Sequence, residues 1–520
     1  MNLHCKLGAN KAFPWHEEGS LSFICSPLAF AQMSQLGVGF SSSESLGEAL
    51  RDVKGCFSLV LDRADSVVLA ADIAAGFPLY YSVFDGKINV SDDAMLILPE
   101  NPKIGRIETS EYLASTFVSG GDTLVEGVHY VKPGEIVSIA KQDGSVDVEN
   151  WWLFDPDFSH EAQAGEYDAI LLDVFRDLAR ALDGRQVLIP LSGGLDSRTV
   201  AVMLHRVGYE NVVCFSYGRR GNFETETARK VAQALGYELH YIEYSTDAWL
   251  EFRRGPDWDG FLSYAFQGCR TGCIQPTIAM KELVRRGVVD QGAVVVPGHI
   301  SYDSLVLEDA FFGKGLSLRK AVNLFCEYEC SQCALPFEEK IEVKSKIARM
   351  FDQEGKPYDE GSWLTRFQEL DWRGTQTAFY NHDVRNYEYF ECQWELPFWD
   401  IRVANFWKRT TVEQAYMRSF YHEYCERYIN PFVGLHTEVP SFSPLDIRLR
   451  LAKHHVPGLV KRLGRRVMDV VKPPVPHPLG CEGALGDLVV DGQTLNARIS
   501  EYSLKRFLTE RNESDERSPL

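Results

Sequence analysis

Val187-Leu188-Ile189-Pro190-Leu191-Ser192-Gly193-Gly194-Leu195-Asp196-Ser197-Arg198-Thr199-Val200 is the stretch from which the fold is read. Its apolar start, Val187 to Leu191, predicts a short buried strand. Ser192 to Ser197 is a tight polar turn. A helix is expected to start in the run from Thr199 to Leu204, with Gly208 as its stop. A strand that feeds a glycine-rich turn into a helix N-terminus makes an anion site: backbone N–H groups converge and the helix dipole adds partial positive charge. Gly193 and Gly194 let the backbone approach a phosphate closely. Asp196 would repel a bare phosphate. It belongs there if Mg2+ stands between carboxylate and phosphates. The turn is not the GxxxxGK[ST] loop, because it is shorter and lacks the lysine.

The flanking sequence extends this unit. Tyr167 to Leu182 has helical spacing and Asp183-Gly184 ends it. Asn211 to Gly218 and Glu238 to Ile242 read as two more strands, with a helix from Thr225 to Leu235 between them. Ile278 to Arg286 reads as a helix and Ala293 to Pro297 as a fourth strand. Strands alternating with helices at this spacing predict a parallel sheet, with ligands at the carboxyl ends of its strands. Ser216, Tyr217 and Gly218 then lie beside the phosphate loop, where adenine would sit. Arg219 and Arg220 reach phosphates if their loop folds inward; otherwise they are solvated.

The chain has 520 residues, 45% hydrophobic and 24% charged, as expected of a globular protein of several domains. Its net charge is −19, from 54 basic and 73 acidic residues, which argues against wrapping nucleic acid or lying on an anionic membrane. No apolar run is long enough to span a bilayer. The opening residues lack the apolar segment of a secretory signal, so a cytoplasmic location with reduced thiols is expected. Residues 1 to about 155 read as β-rich, with hairpin turns at Asp85-Gly86 and Asp143-Gly144 and a turn at Lys132-Pro133-Gly134-Glu135. Trp151 to Asp157 reads as a domain exit.

Ser192-Gly193-Gly194-Leu195-Asp196-Ser197 resembles the pyrophosphate (PP) loop of enzymes that cleave ATP between the α and β phosphates. The N-terminal region is similar to the glutaminase domain of asparagine synthetases. The matching pieces are Leu59-Val60-Leu61-Asp62, Ala71-Asp72 with Gly76 to Tyr81, Ser91-Asp92-Asp93, Thr123 to Val128 and Lys132 to Glu135. The resemblance implies an α+β N-terminal Ntn-hydrolase-like sandwich over 1–158. An α/β adenine-nucleotide α-hydrolase-like (PP-loop) domain with helical additions follows over 159–520. It implies ATP and Mg2+, with Leu191, Ser192, Gly193, Gly194, Asp196, Ser197, Ser216, Tyr217, Gly218 and Gly298 around the nucleotide.

Several positions depart from the family. Its glutaminase nucleophile is an N-terminal cysteine, whereas here Met1 is followed by Asn2 and the first cysteine is Cys5. The glutamine-pocket segments are also absent, so this domain is expected to have lost that reaction. The family's acidic turn after the fourth strand supplies a second Mg2+ ligand; here Gly298 fits and Asp303 stands one position late. The stretch from Asn381 to Phe390, followed by Gln393-Trp394-Glu395-Leu396-Pro397-Phe398-Trp399-Asp400, resembles the second signature of the family. Its aromatic-rich spelling is closest to asparagine-synthetase-like proteins of surface-polysaccharide clusters. Gln393 replaces a glutamate that assists proton removal from the attacking amine. Glu391 or Glu395 would have to substitute, unless both are structural. A C-terminal lysine that reaches the phosphates in the family has Lys453 and Lys461 as candidates.

Cys326-x3-Cys330-x2-Cys333 has the spacing of a radical S-adenosylmethionine cluster, and with Cys269-x3-Cys273 it could form a zinc site. Buried thiols on one helix face are the plainer reading. The whole pattern implies an ATP-dependent amide-forming ligase acting on a small-molecule or glycan carboxylate. Its partners extend to a separate ammonia donor or a second copy of the chain. The alternatives are an intramolecular amide cyclase, like β-lactam synthetases and lasso cyclases, or a non-catalytic nucleotide-binding scaffold.

Overall fold

Turn chemistry sets the N-terminal half. Its strands are β1 (Asn2–Lys6), β2 (His16–Glu18), β3 (Leu21–Cys25), β4 (Phe57–Asp62), β5 (Ser66–Ala71), β6 (Tyr80–Phe84), β7 (Lys87–Ser91), β8 (Val128–Tyr130), β9 (Glu135–Ala140) and β10 (Val146–Asn150). Asp85 and Gly86 both take positive φ, 51° and 69°, as a two-residue hairpin between β6 and β7 requires. Asp143 turns β9 into β10 and accepts the Ser145 N–H at 2.9 Å. The strands form a four-stranded sheet, β1-β7-β6-β8, and a six-stranded one, β10-β9-β5-β4-β3-β2. Val60, Leu69 and Val137 of one sheet share a core with Leu79, Ile88 and Val90 against the other. This is the expected Ntn-hydrolase-like sandwich. The computed structural model describes residues 1–37, 39–40, 42–300, 315–353, 357–440, 478–481, 484–485 and 494–516.

The chain passes from β10 to the helix Ala164–Leu182 and then builds the second sheet. Its strands are β11 (Val187–Pro190), β12 (Val212–Gly218), β13 (Glu238–Glu243), β14 (Val294–Val295) and β15 (Gln393–Trp394). The order is β13-β12-β11-β14-β15 and every pairing is parallel. The helix after β11 runs Leu195–Arg206, four residues ahead of the expected start. Gly194 is its extended N-cap, so Asp196 and Ser197 sit in the first turn. β14 is shorter than expected, and β15 has no counterpart in the sequence reading, since two residues carry no periodicity.

The two halves share one core. Phe23, Leu59, Leu61 and Ala70, on the other face of the six-stranded sheet, belong to the same apolar cluster as Leu171, Val174 and Trp394. Trp394 stacks on Phe77 at 4.8 Å and meets Phe13 edge-on at 5.3 Å. Gly76 leaves room for it: a Cβ there would lie 2.6 Å from the Trp394 ring. Lys346, buried on the helix Phe337–Phe351, holds Glu111 at 2.9 Å and Asp122 at 3.0 Å. Among the described residues, no helix is long and apolar enough to cross a membrane.

Candidate active site

From β11 the chain builds outward through β12 to β13, then returns as β14 on the opposite side of β11. The strand order reverses there, the position at which open parallel sheets hold ligands beyond the carboxyl ends of their strands. Three segments face this position: the loop after β11, the end of β12 and the turn after β14.

The loop is held by its own serines. The Ser192 N–H donates to Ser197 Oγ at 3.0 Å, and the Gly194 N–H donates to Ser192 Oγ at 3.1 Å. The two hydroxyl oxygens lie 3.0 Å apart. Leu191 anchors the base, its N–H donating to Phe215 O at 2.8 Å. Gly193 is pressed by the next helix, where a Cβ would lie 2.9 Å from Glu224 Cα. Gly298 lies against the loop from β14: a Cβ would come within 2.4 Å of Ser197 N. Both glycines are therefore required by close approach. The result is a serine-braced cradle at a helix N-terminus, where the dipole and the first N–H groups of the helix favour an anion.

Asp196 carries a partner that nothing local in the sequence signals. Arg418 forms a forked ion pair with it, with Nη1 donating to Oδ2 at 3.3 Å and Nη2 to Oδ1. The guanidinium also lies 4.6 Å from the Tyr421 ring centroid. Met417 and Arg418 are both left-handed, at φ 49° and 55°, an uncommon backbone for such residues. Arg198 braces the loop from behind, donating to Gly193 O at 3.1 Å and Asn430 Oδ1 at 2.8 Å. Asp196 is partly exposed, at a helix N-terminus beside the cradle. One carboxylate together with substrate phosphates is a donor set that suits Mg2+. Arg418 would have to yield Asp196 to the ion.

The end of β12 is more enclosed than expected. The Ser216 hydroxyl is buried, 3.5 Å from Thr225 Oγ1. Tyr217 stacks on Tyr244 at 5.2 Å. Gly218, at φ 128°, faces the segment that resumes at Pro478; a Cβ would lie 3.0 Å from Pro478 O. Arg219 N–H donates to that oxygen at 2.8 Å, and Trp249 Nε1 donates to Leu479 O at 2.6 Å. The C-terminal segment thus covers the place expected for adenine. After β14, His299 Nε2 lies 3.5 Å from Asp383 Oδ2, with its Nδ1 buried and unpartnered among the described residues.

The second signature is placed elsewhere. β15 brings Gln393 level with Val294 and Val187, at the amino ends of the parallel strands. Gln393 accepts from Arg185 at 2.6 Å and donates to Ala12 O at 3.3 Å, at the end of the sheet opposite the loop. Glu395 is wholly buried against the N-terminal half, accepting from Ser26 Oγ and the Leu28 N–H, each at 2.9 Å. Burial pushes its carboxyl up to about 7. Glu391 is exposed on a left-handed turn at φ 59°. Glu395 is committed to Ser26 and Leu28, and Glu391 acts on Lys11 of the same half, so neither is assigned the role of the missing base. The signature's aromatic spelling reflects its packing, with Trp394 and Glu395 both inserted into the other half. Asp303, Lys453 and Lys461 lie outside the described residues.

Cys5 sits inside β1, paired in register with Val90. Burial, then Asp92, pushes its thiol up to about 12, away from a nucleophile's range. Among the described residues, no group of three His, Cys, Asp or Glu side chains could hold a metal.

Residues 186–251, from β11 into the helix after β13, match the family described as queuosine biosynthesis protein QueC. The chain is 30% identical over 194 residues to "Carboxyethyl-arginine beta-lactam-synthase" of Streptomyces clavuligerus, covering 36% of this chain and 35% of that protein. It is 41% identical over 66 residues to "7-cyano-7-deazaguanine synthase" of Gloeothece citriformis, 12% of this chain and 29% of the relative. It is 44% identical over 59 residues to "Probable asparagine synthetase [glutamine-hydrolyzing]" of Acanthamoeba polyphaga mimivirus, 11% of each. The matches span about a third or less of these relatives' own length. A two-sheet sandwich joined to a parallel sheet that carries the Ser192–Ser197 loop, together with these likenesses, relates the chain to a β-lactam-synthase and an asparagine synthetase over part of its length.

Proposed function

We propose that the chain is an ATP-dependent carbon–nitrogen ligase that forms an amide through an acyl adenylate. The observation that carries this reading is the Ser192–Ser197 cradle at the strand switch point, closed on one side by Gly298. A substrate carboxylate oxygen attacks the α-phosphorus of ATP. The bond to the β-phosphate oxygen breaks, and pyrophosphate departs against the loop amides. A nitrogen nucleophile then attacks the acyl carbon, loses a proton and displaces AMP. Mg2+ at Asp196 would supply charge neutralisation for the departing pyrophosphate. Arg418, freed from Asp196, is close enough to the same place to take up part of that charge.

The substrate is a small-molecule or glycan carboxylate, and the nitrogen is free ammonia or ammonia from a separate donor. The N-terminal half braces the ligase half rather than releasing ammonia, a reading supported by the place of Cys5 inside β1 and by its thiol being pushed up to about 12. The likeness to a β-lactam-synthase favours a second reading, in which the amine lies on the substrate itself and the amide closes a ring. The test is to incubate the protein with ATP, Mg2+ and a panel of carboxylates, with and without ammonia. AMP and pyrophosphate should appear in equal amounts with one acid. Release that needs no ammonia selects ring closure. ADP as the product, or no pyrophosphate with any acid, overturns the ligase.

A further inference from the structure

The helices Leu318–Glu329 and Phe337–Phe351 form a hairpin around a cavity of about 580 Å3. That is the size of a small-molecule site, roughly 300–1,000 Å3. Cys326, Cys330 and Cys333 line it together with Asn323, Lys340 and Lys344. Lys340 and Lys344 are one helical turn apart, so their ammonium groups share a face. Lys344 also donates to Asn323 on the opposite helix. Glu327 is the one acidic residue in the lining, so the two lysines leave the cavity with a positive balance. Cys326 and Cys330 fall four residues apart on one helix face, and both line the cavity. Cys326 keeps 8% of its surface exposed. The absence of a metal-binding group of three among the described residues, and two lysines beside the thiols, argue against a cluster or zinc here.

We propose that this cavity is a thiol–disulfide exchange site, in which Cys326 takes a small anionic disulfide held by Lys340 and Lys344. The Cys326 thiolate attacks one sulfur of R–S–S–R. A Cys326–S–S–R bond forms as the original S–S bond breaks, and R–S⁻ leaves and takes a proton from water. Cys330, having given up its proton, then displaces the second R–S⁻ and closes a Cys326–Cys330 disulfide. Two protein thiols are oxidised and one small disulfide is reduced to two thiols. The electrostatics agree with this assignment. Cys330 first, then Lys344 and Lys340, hold the Cys326 thiol below its ordinary value against burial and Glu111, which raise it, while Cys326 and burial push Cys330 up. The other cysteines with a resolved shift, Cys25, Cys56, Cys214 and Cys392 among them, are pushed up mainly by burial. Cys330 already leaves helical geometry, at φ −110° and ψ 44°, so the last turn has room to tighten.

The test uses the full, reduced chain with glutathione disulfide, and 2-hydroxyethyl disulfide as a neutral control, followed by alkylation and peptide mass mapping. Cys326 should be the first cysteine lost, as a glutathione adduct or as a link to Cys330. Cys330→Ser should trap the adduct, and Cys326→Ser should remove the reaction at both positions. Lys340→Gln with Lys344→Gln should slow the anionic reagent about tenfold, the effect of one pKa unit, and the neutral one less. Should Cys326→Ser fail to fold, the wild-type map and the lysine variant decide. Exposed Cys5 reacting first, or equal rates for both reagents in wild type and lysine variant, would overturn the proposal.

Discussion

Asp196 and Arg418 hold one another across 222 residues of sequence, and that pairing sets what single substitutions do at the site. The pair is partly exposed, so its strength is limited by solvent, roughly 1 kcal/mol or less. Arg418→Met removes a competing cation from Asp196. It should tighten Mg2+ binding in the presence of a non-hydrolysable ATP analogue by about threefold, as read by calorimetry. Unchanged affinity would mean that Asp196 is not the ion's ligand. At Gly298 the constraint is steric. Gly298→Ala puts a methyl 2.4 Å from Ser197 N and must displace the loop. Pyrophosphate release should fall about a hundredfold, the scale of a misplacement of roughly 1 Å, with little change in the circular dichroism spectrum. The loop residues were legible from sequence because strand, turn and helix are contiguous. Arg418 was not: a lone arginine before a helix has no pattern, and only the fold brings it to Asp196.

Among the elements, β15 shows where sequence reasoning reached its limit. Gln393 to Asp400 reads as a catalytic signature, yet the element serves as the joint between halves, with Trp394 and Glu395 both inserted. Nothing in the local spelling separates a buried glutamate with an N-terminal partner from one facing substrate. Glu395 has a consequence for pH. Its folded carboxyl is raised from 4.5 to about 7 by burial, so between those values the native state binds a proton that the unfolded chain has released. Stability is therefore full below about 4.5, falls as pH rises to 7 and is level above. Buried Asp72, raised to about 7, adds a slope of the same sign. Glu395→Gln should flatten the fall without abolishing it, by at most about 3 kcal/mol. Thermal melts at pH 5 and pH 8 measure this; an unchanged slope would show that Glu395 is ionised in the folded protein.

At the level of the whole molecule, the shared core means that the halves stabilise one another. Trp394→Ala removes the ring that Phe13 and Phe77 pack against, and should cost about 3–5 kcal/mol. Chemical denaturation followed by tryptophan fluorescence and far-UV circular dichroism should then show both halves losing stability together. Independent melting of an unaffected half would contradict a common core. The two-part architecture was visible in the sequence, from apolar segments and hairpin turns first and strand–helix alternation after. The joint was not visible, because contacts such as Ser26 to Glu395 link positions 369 residues apart. The most direct measurement is calorimetric titration of pyrophosphate in the presence of Mg2+ into the wild-type protein and Asp196→Asn. If the Ser192–Ser197 cradle holds the leaving group beside the ion, the wild type binds and the variant is weakened by about a hundredfold. Equal binding by the two proteins, or none by the wild type, would contradict the assignment of this loop to ATP cleavage.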